Sequence, residues 1–191
     1  MACDNYMWFS APATGGLLSS AATKPQGETQ DKFFKTKNAL EILSISFGVA
    51  QAETTGSMSM GSSAGKAKFE EFTIEKFVDL SSVPIFNACA AGAHFPTIHL
   101  AIRKAGGDQL KYFQIIFRQV FVTSISFSGG GGEEAPKETI KFKFNAMGVQ
   151  YVRQLSTGAA GTPIQAAWSI ATGKPELVVP GLPGADGHEA P

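Results

Sequence analysis

The stretch Met58 to Phe72, MSMGSSAGKAKFEEF, contains Gly61-Ser-Ser-Ala-Gly65-Lys66, which approaches the pattern of a phosphate-binding loop. In such a loop, G-x-x-x-x-G-K-[ST], backbone N–H groups curl around phosphate. The lysine reaches the outer phosphates and the hydroxyl holds Mg²⁺. Here the glycine spacing is one residue short, and Ala67 stands where the hydroxyl belongs. The loop must also open a helix, yet Phe69-Glu-Glu-Phe-Thr-Ile-Glu-Lys-Phe77 has the composition of a strand. A Gly/Ser loop between two strands is the reading that follows.

The other reactive side chains form no better constellation. His94 and His99 are five apart with Pro96 between them, whereas helical zinc ligands lie three or four apart. A Cys89–His94 nucleophile pair is conceivable, but a cysteine on the apolar stripe of a helix is ordinarily inert packing. Met58 and Met60 suit an adaptable contact surface better than a metal box. Glu70, Glu71, Glu75 and Asp79 share a segment with Lys68 and Lys76 and read as a solvated or interfacial charged face. Arg103, Lys104 and Lys111 flank a Gly-Gly turn and are too few to argue for nucleic acid. The glycine run SGGGGEEAPK, Ser128 to Lys137, carries Glu133 and Glu134, which repel phosphate, so it reads as a hairpin loop. No catalytic residue, cofactor or metal ligand is expected.

Composition points the same way. The 191 residues are 43% hydrophobic, enough for one domain with a core. Sixteen basic residues balance sixteen acidic ones, so no net field draws in nucleic acid or an anionic membrane. Twenty-one Gly and fifteen Phe with few helical patterns favour an all-β protein. Two cysteines, Cys3 and Cys89, make no disulfide framework and suit a reducing compartment. The start, MACDNYMWFSAPATGG, lacks the basic region of a secretory signal, and no apolar run reaches membrane-spanning length.

The elements follow from apolar spacing. Asp4 to Phe9 is a first strand and Ser10 to Gln26 a loop insertion. Asn38 to Gln51 reads as one strand, with Leu43, Ile45, Phe47 and Val49 on one face and Ile42, Ser44, Ser46 and Gly48 on the other. Ala52 to Gly65 is a loop and Lys66 to Val78 a strand. Asp79 to Gly92 is the one helix, capped by Ser81 or Ser82, started by Pro84 and stopped by Gly92. Its stripe is Ile85, Phe86, Cys89 and Ala90. Ile98, Leu100 and Ile102 share a face of Thr97 to Arg103. Leu110 to Phe127 is a long strand with Phe113, Ile115, Phe117, Phe121, Ile125 and Phe127 on one face. Ile116, Val120 and Val122 make its other face apolar too, as in a strand buried on both sides or half in an interface. Ile140, Phe142 and Phe144 point inward from the next strand, and a phase slip near Met147-Gly148 suggests a β-bulge. Pro163 to Ala171 is the last strand, with Ile164, Ala166, Trp168 and Ile170 in step. One domain over 1–172 and a Pro/Gly-rich disordered tail over 173–191 are expected. About eight strands fit a barrel or a sandwich.

Several segments carry more than their pattern: Glu41-Ile-Leu-Ser-Ile-Ser-Phe-Gly48, Lys76-Phe-Val-Asp79 with its helix, His94-Phe-Pro96, Leu100-Ala-Ile-Arg-Lys-Ala-Gly-Gly107 and Ala167-Trp-Ser-Ile170. In that order they resemble the Hcp family, the haemolysin-coregulated tube proteins of type VI secretion. The resemblance implies a small β-barrel of two packed antiparallel sheets with one short α-helix, and a structural subunit rather than an enzyme. It implies hexameric rings stacked into a tube that a contractile sheath expels, with a spike protein at the tip and effector proteins inside. The protein would be cytoplasmic before firing and secreted without a cleaved signal, with no nucleic acid or membrane insertion. The loop Glu53, Thr54, Thr55, Gly56, Ser57, Met58, Ser59, Met60 and Gly61 would reach a neighbouring subunit or ring. Ser44 and Ser46, on the small polar face of their strand, would face the lumen. A tail-tube protein of another contractile device is one alternative. A β-barrel ligand binder using Cys89, His94 and His99 is another.

Overall fold

A computed structural model describes residues 3–18, 23–53, 64–104, 111–130, 135–157 and 159–175. The strands are β1 (Cys3–Phe9), β2 (Leu40–Ile42), β3 (Ser44–Ser46), β4 (Val49–Glu53), β5 (Ala64–Phe69), β6 (Phe72–Phe77), β7 (His94–Lys104), β8 (Lys111–Ser128), β9 (Lys137–Gln154), β10 (Ala160–Ser169) and β11 (Lys174–Pro175). One helix, α1 (Ser82–Ala91), lies between β6 and β7, and a 3₁₀ turn spans Phe34–Lys37. The expected all-β class holds, with more strands than the alternation suggests because two expected strands are broken and because Lys174–Pro175, in the segment expected to be a disordered tail, pairs with β10 as β11.

Nine strands form one sheet in the order β11-β10-β9-β8-β7-β1-β2, and β6 joins it by pairing with both β3 and β9. The hairpin β4–β5 is a separate two-stranded sheet. Pairing alone does not close the large sheet as an uninterrupted barrel. The segment Leu40 to Ser46 makes the passage: β2 pairs with β1, β3 pairs with β6, and between them Leu43 N–H donates to Glu75 O at 2.8 Å.

The single strand expected over Asn38 to Gln51 is therefore three strands with three partners. Leu40 and Ile42 are buried and Leu43 is 45% exposed, the reverse of the expected parity. The strand expected over Lys66 to Val78 likewise breaks at Glu70-Glu71. Each break lets the chain change partner, which alternation within one strand does not report.

The core is aliphatic and phenylalanine-rich. Phe72 and Phe142 pack within 6.0 Å, and Phe117 lies 4.6 Å from Phe72 and 4.8 Å from Phe144. The inward rows are regular except along one crease. Phe95, Val120 and Phe144 form one row, and Ile98, Phe117 and Met147 the next core row. Two residues rather than one separate these rows on β7, β8 and β9, so core-facing parity reverses on all three.

At the crease, Gln119 has φ +48° and stands opposite Asn145 without pairing. Val120 and Val122 thereby turn inward, and Phe121, expected in the core, is 38% exposed. A register shift between Val122 and Ser124 restores the phase, and Ile125 packs on the core. Phe127, also expected inside, is 53% exposed. The slip on β9 lies at Asn145-Ala146, not at Met147-Gly148, because Gly148 pairs in unbroken register with Ile116 and Ala167. Ile164 of β10 is 73% exposed.

Helix α1 stops as expected, at Gly92 in the left-handed region with φ +65°. Its start differs, because neither serine side chain caps it. The Asp79 carboxylate accepts the Ser81 N–H at 2.8 Å, where it also opposes the helix dipole. Ile85 and Ala88 are buried and Cys89 packs on the core, while Phe86 and Ala90 are exposed.

Lys76 is not on a solvated face. Its ammonium is fully buried, 2.7 Å from Glu138 Oε1 and 2.7 Å from Asp79 Oδ1. Ser82 Oγ donates to Glu138 Oε1 at 2.9 Å. The cluster joins β6, α1 and β9. A second cluster lies on the far side of β1 and β7, where the buried Arg103 contacts Asp31 at 2.7 Å and Asp4 at 3.2 Å. Its guanidinium lies over the Tyr6 and Phe34 rings. Arg103 is thus taken out of the basic group expected beside the Gly-Gly turn.

Removing one partner of a buried pair strands the other charge. Lys76→Met and Glu138→Leu are each expected to cost about 3–5 kcal/mol, and the double replacement is expected to recover most of that. Chemical denaturation measures it, and additive losses in the double variant would refute the coupling. Asp31 makes a pH prediction. Burial raises its carboxyl, but the Phe34 N–H, Arg103 and the Phe33 N–H outweigh that and hold it below its usual 3.8. Its contribution is complete above about pH 3.8 and is lost as pH falls through the lowered folded-state value. Asp31→Asn is expected to flatten the acid limb of a plot of urea midpoint against pH.

Candidate assembly surface

Four strands combine into one two-sided patch, β3-β6-β9-β8. On the inner side Ile45, Ile74, Ile140 and Ile125 lie directly opposite one another across the four strands. Ile74 and Ile140 are fully buried, and Ile45 and Ile125 pack against the core. β-Branched side chains stacked across strands hold such a sheet rigid. The adjacent rows point the other way. One runs Ser46, Thr73, Lys141, Ser124, and the other Ser44, Glu75, Thr139, Ser126.

This outer face is small, hydroxyl-rich and of mixed charge. Ser44 Oγ donates to Glu75 Oε2 at 3.3 Å, and Lys137 Nζ lies 3.8 Å from Glu75 Oε1. Several hydroxyls bend back to the backbone: Thr123 Oγ1 donates to Lys141 O at 3.1 Å and Ser126 Oγ to Thr139 O at 3.5 Å.

Ser44 and Ser46 are exposed and lie on this face. Thr73, Glu75, Thr139, Lys141, Ser124 and Ser126 share it, and the sequence reading missed them. A signal for two of them, Ser124 and Ser126, was present: Ser-Ile-Ser-Phe occurs at both 44–47 and 124–127. The two copies are brought to opposite borders of the same patch.

Of the stacking-loop candidates, Glu53 ends β4 and pairs with Ala64 of β5. Thr54, Thr55, Gly56, Ser57, Met58, Ser59, Met60 and Gly61 lie outside the described residues. Gly65 and Lys66 belong to β5, which continues as a strand, so this region does not open a helix as a phosphate loop would. Part of the expected loop is thus the paired stem of a hairpin.

The catalytic candidates are not assembled. Cys89 is part-buried on α1. His99 stacks on Trp8, ring centroids 4.9 Å apart. His94 sits at the other end of its stretch of β7, next to Phe121 at 5.3 Å, its backbone bridged to Thr14. Among the described residues no group of three or more His, Cys, Asp or Glu side chains is placed to hold a metal. No described helix is long and apolar enough to cross a membrane.

Comparison with known proteins places this geometry. Residues 16–151 match the family described as type VI secretion system effector, Hcp. Protein hcp1 of Pseudomonas aeruginosa is 36% identical over 107 residues, covering 55% of this chain and 66%, just under two thirds, of that protein. Among solved structures, a type six secretion system protein superposes with a TM-score of 0.77 at 31% identity, covering 92% of this chain and all of that one. Hcp1 from Salmonella typhimurium gives 0.70 at 27% identity over the same shares. The family match takes in all four strands of the hydroxyl face, the β4–β5 hairpin and α1, and the chain belongs to the Hcp family of type VI secretion proteins.

Proposed function

We propose that this chain is the subunit of a type VI secretion inner tube. Six copies close into a ring, rings stack, and the tube leaves the cell on sheath contraction with effector proteins inside. The observation that carries the reading is the two-sided patch: an isoleucine row buried behind a face of serine, threonine and balanced charge. That face suits the wall of a channel, where cargo must be held weakly and released. The mostly apolar outer side of α1, with Val83 and Phe86 exposed, Leu80 just ahead of it and Ile164 on β10 supply contact area for neighbours. A ring built from one such chain uses two different patches per contact, so apolar surface in more than one place is what closure needs. The β4–β5 hairpin, a sheet of its own, reaches toward a neighbouring subunit or ring. The spike and sheath act on the assembled tube. The protein works without cofactor or catalysis, first in the cytoplasm and then outside.

Native mass measurement with negative-stain imaging tests this directly. A sixfold ring with an open centre is expected. A monomer at every concentration and salt would overturn the reading. Ser46→Glu and Ser126→Glu are expected to leave rings intact and reduce co-purified effector at least several-fold, because each puts an uncompensated charge on the channel wall. Collapse of the rings in either variant would instead place that residue in a subunit contact.

A further inference from the structure

The crease that reverses core parity on β7, β8 and β9 opens a recess of about 430 Å³ on the surface. That volume lies within the usual range of small-ligand sites, about 300–1,000 Å³. His94, Thr97, Arg118, Gln119, Asn145 and Ser169 are among its lining residues, and no described lining residue is a carboxylate. It is separate from the hydroxyl face and from the hairpin.

We propose that this recess binds a carboxylate-bearing ligand. The side chains are sorted by chemistry for that task. Arg118 supplies a planar fork of N–H donors whose geometry matches a carboxylate. Gln119 Oε1 accepts from Asn145 Nδ2 at 2.8 Å, so the amides of two lining residues hold each other and the Gln119 amide is engaged at its acceptor end, with its N–H₂ end the donor. The His94 imidazole adds a further donor. Pro96 and Ala146, which also line the recess, provide apolar surface for the carbon skeleton behind the carboxylate.

The backbone supports the assignment independently. Gln119 and Asn38 are the described non-glycine residues with positive φ. Asn38 ends the 3₁₀ turn, where a left-handed residue is ordinary. Gln119 sits in the middle of an 18-residue strand, and a glycine there would bend the strand at no steric cost. A side chain retained in a strained conformation points to a use for that side chain. Here it carries the amide between Arg118 and Asn145.

The proposal concerns the full chain in whatever assembly it forms and does not rest on the tube reading. Calorimetric titration at constant ionic strength tests it with two probes, succinate and a tripeptide with a free C-terminal carboxylate, the amidated tripeptide serving as control. Saturable binding of at least one carboxylate probe is expected, at one site per chain, with the amidated peptide silent. Arg118→Gln is expected to weaken it at least about tenfold and Gln119→Gly about fivefold. Gln119→Gly relieves the positive φ, so its melting temperature is expected to equal or exceed the parent's, which separates lost binding from lost folding. Binding of succinate alone identifies a free acid as the ligand. Binding of the tripeptide alone identifies a peptide chain end. Absence of saturable binding by either probe, or unchanged affinity in both variants, would overturn the proposal.

Discussion

The buried pair Lys76–Glu138 is the contact on which the β3-β6-β9-β8 patch depends. These residues stand directly opposite each other on β6 and β9, at the end of the inward row that continues through Ile74–Ile140 and Phe72–Phe142. Both are completely buried, so neither charge tolerates a missing partner. A one-residue slip of β6 against β9 would exchange every inward and outward side chain. It would also turn Lys76 to the outer face and leave Glu138 buried without its partner. An apolar pair there would pack as well but would not forbid the slip. The salt bridge is therefore best understood as a register lock. Asp79 and Ser82 extend the lock to the start of α1, fixing where the helix leaves the sheet.

What the register protects is the separation of two chemistries a few ångströms apart. Isoleucines fill one side of the β3-β6-β9-β8 patch and hydroxyls the other. Burial of each isoleucine contributes about 1.5–3 kcal/mol, which is ample to hold the sheet flat against the core. The hydroxyl side gives back little binding energy, since Thr123 and Ser126 already bond to β9 carbonyls. Rigidity on one side and weak adhesion on the other are compatible only while alternation is strict.

The same reasoning accounts for what could be read from the sequence. Where strands are regular, alternation was sufficient: Ile140, Phe142 and Phe144 at the start of β9 point inward as expected. Gly92 ended its helix because only the left-handed turn there suits glycine. The failures have three physical sources. Leu40 to Ser46 changes partner within one run, which apolar spacing does not encode. Gln119 reverses parity through its backbone, with no Gly or Pro to announce it. Lys76 and Glu138 are charged residues at inward positions sixty-two apart in sequence, and only their pairing across the sheet makes burial tolerable. The helix stripe failed differently. Phe86 would bury readily, but it lies on the side of α1 turned away from the sheet, and spacing on a helix names two candidate faces when both are apolar.

β8 and β9 tie these features into one body. Each is an 18-residue strand. The loop-proximal halves of the pair carry the hydroxyl face, and the halves beyond Gln119 and Asn145 carry the rows that pack on β7 and β10. The crease is where one assignment gives way to the other. Strands this long twist, and a strongly twisted sheet must bend or split to keep both halves on one core. Reversing parity on three adjacent strands in the same row achieves the bend without breaking β8 or β9. The outward surface of that bend is concave, so it leaves a recess, and it is lined by whichever side chains the crease displaces. In this chain those are arginine, glutamine, asparagine and histidine rather than the serine and threonine of the neighbouring face, so one pair of strands presents two surfaces of different chemistry on either side of the crease.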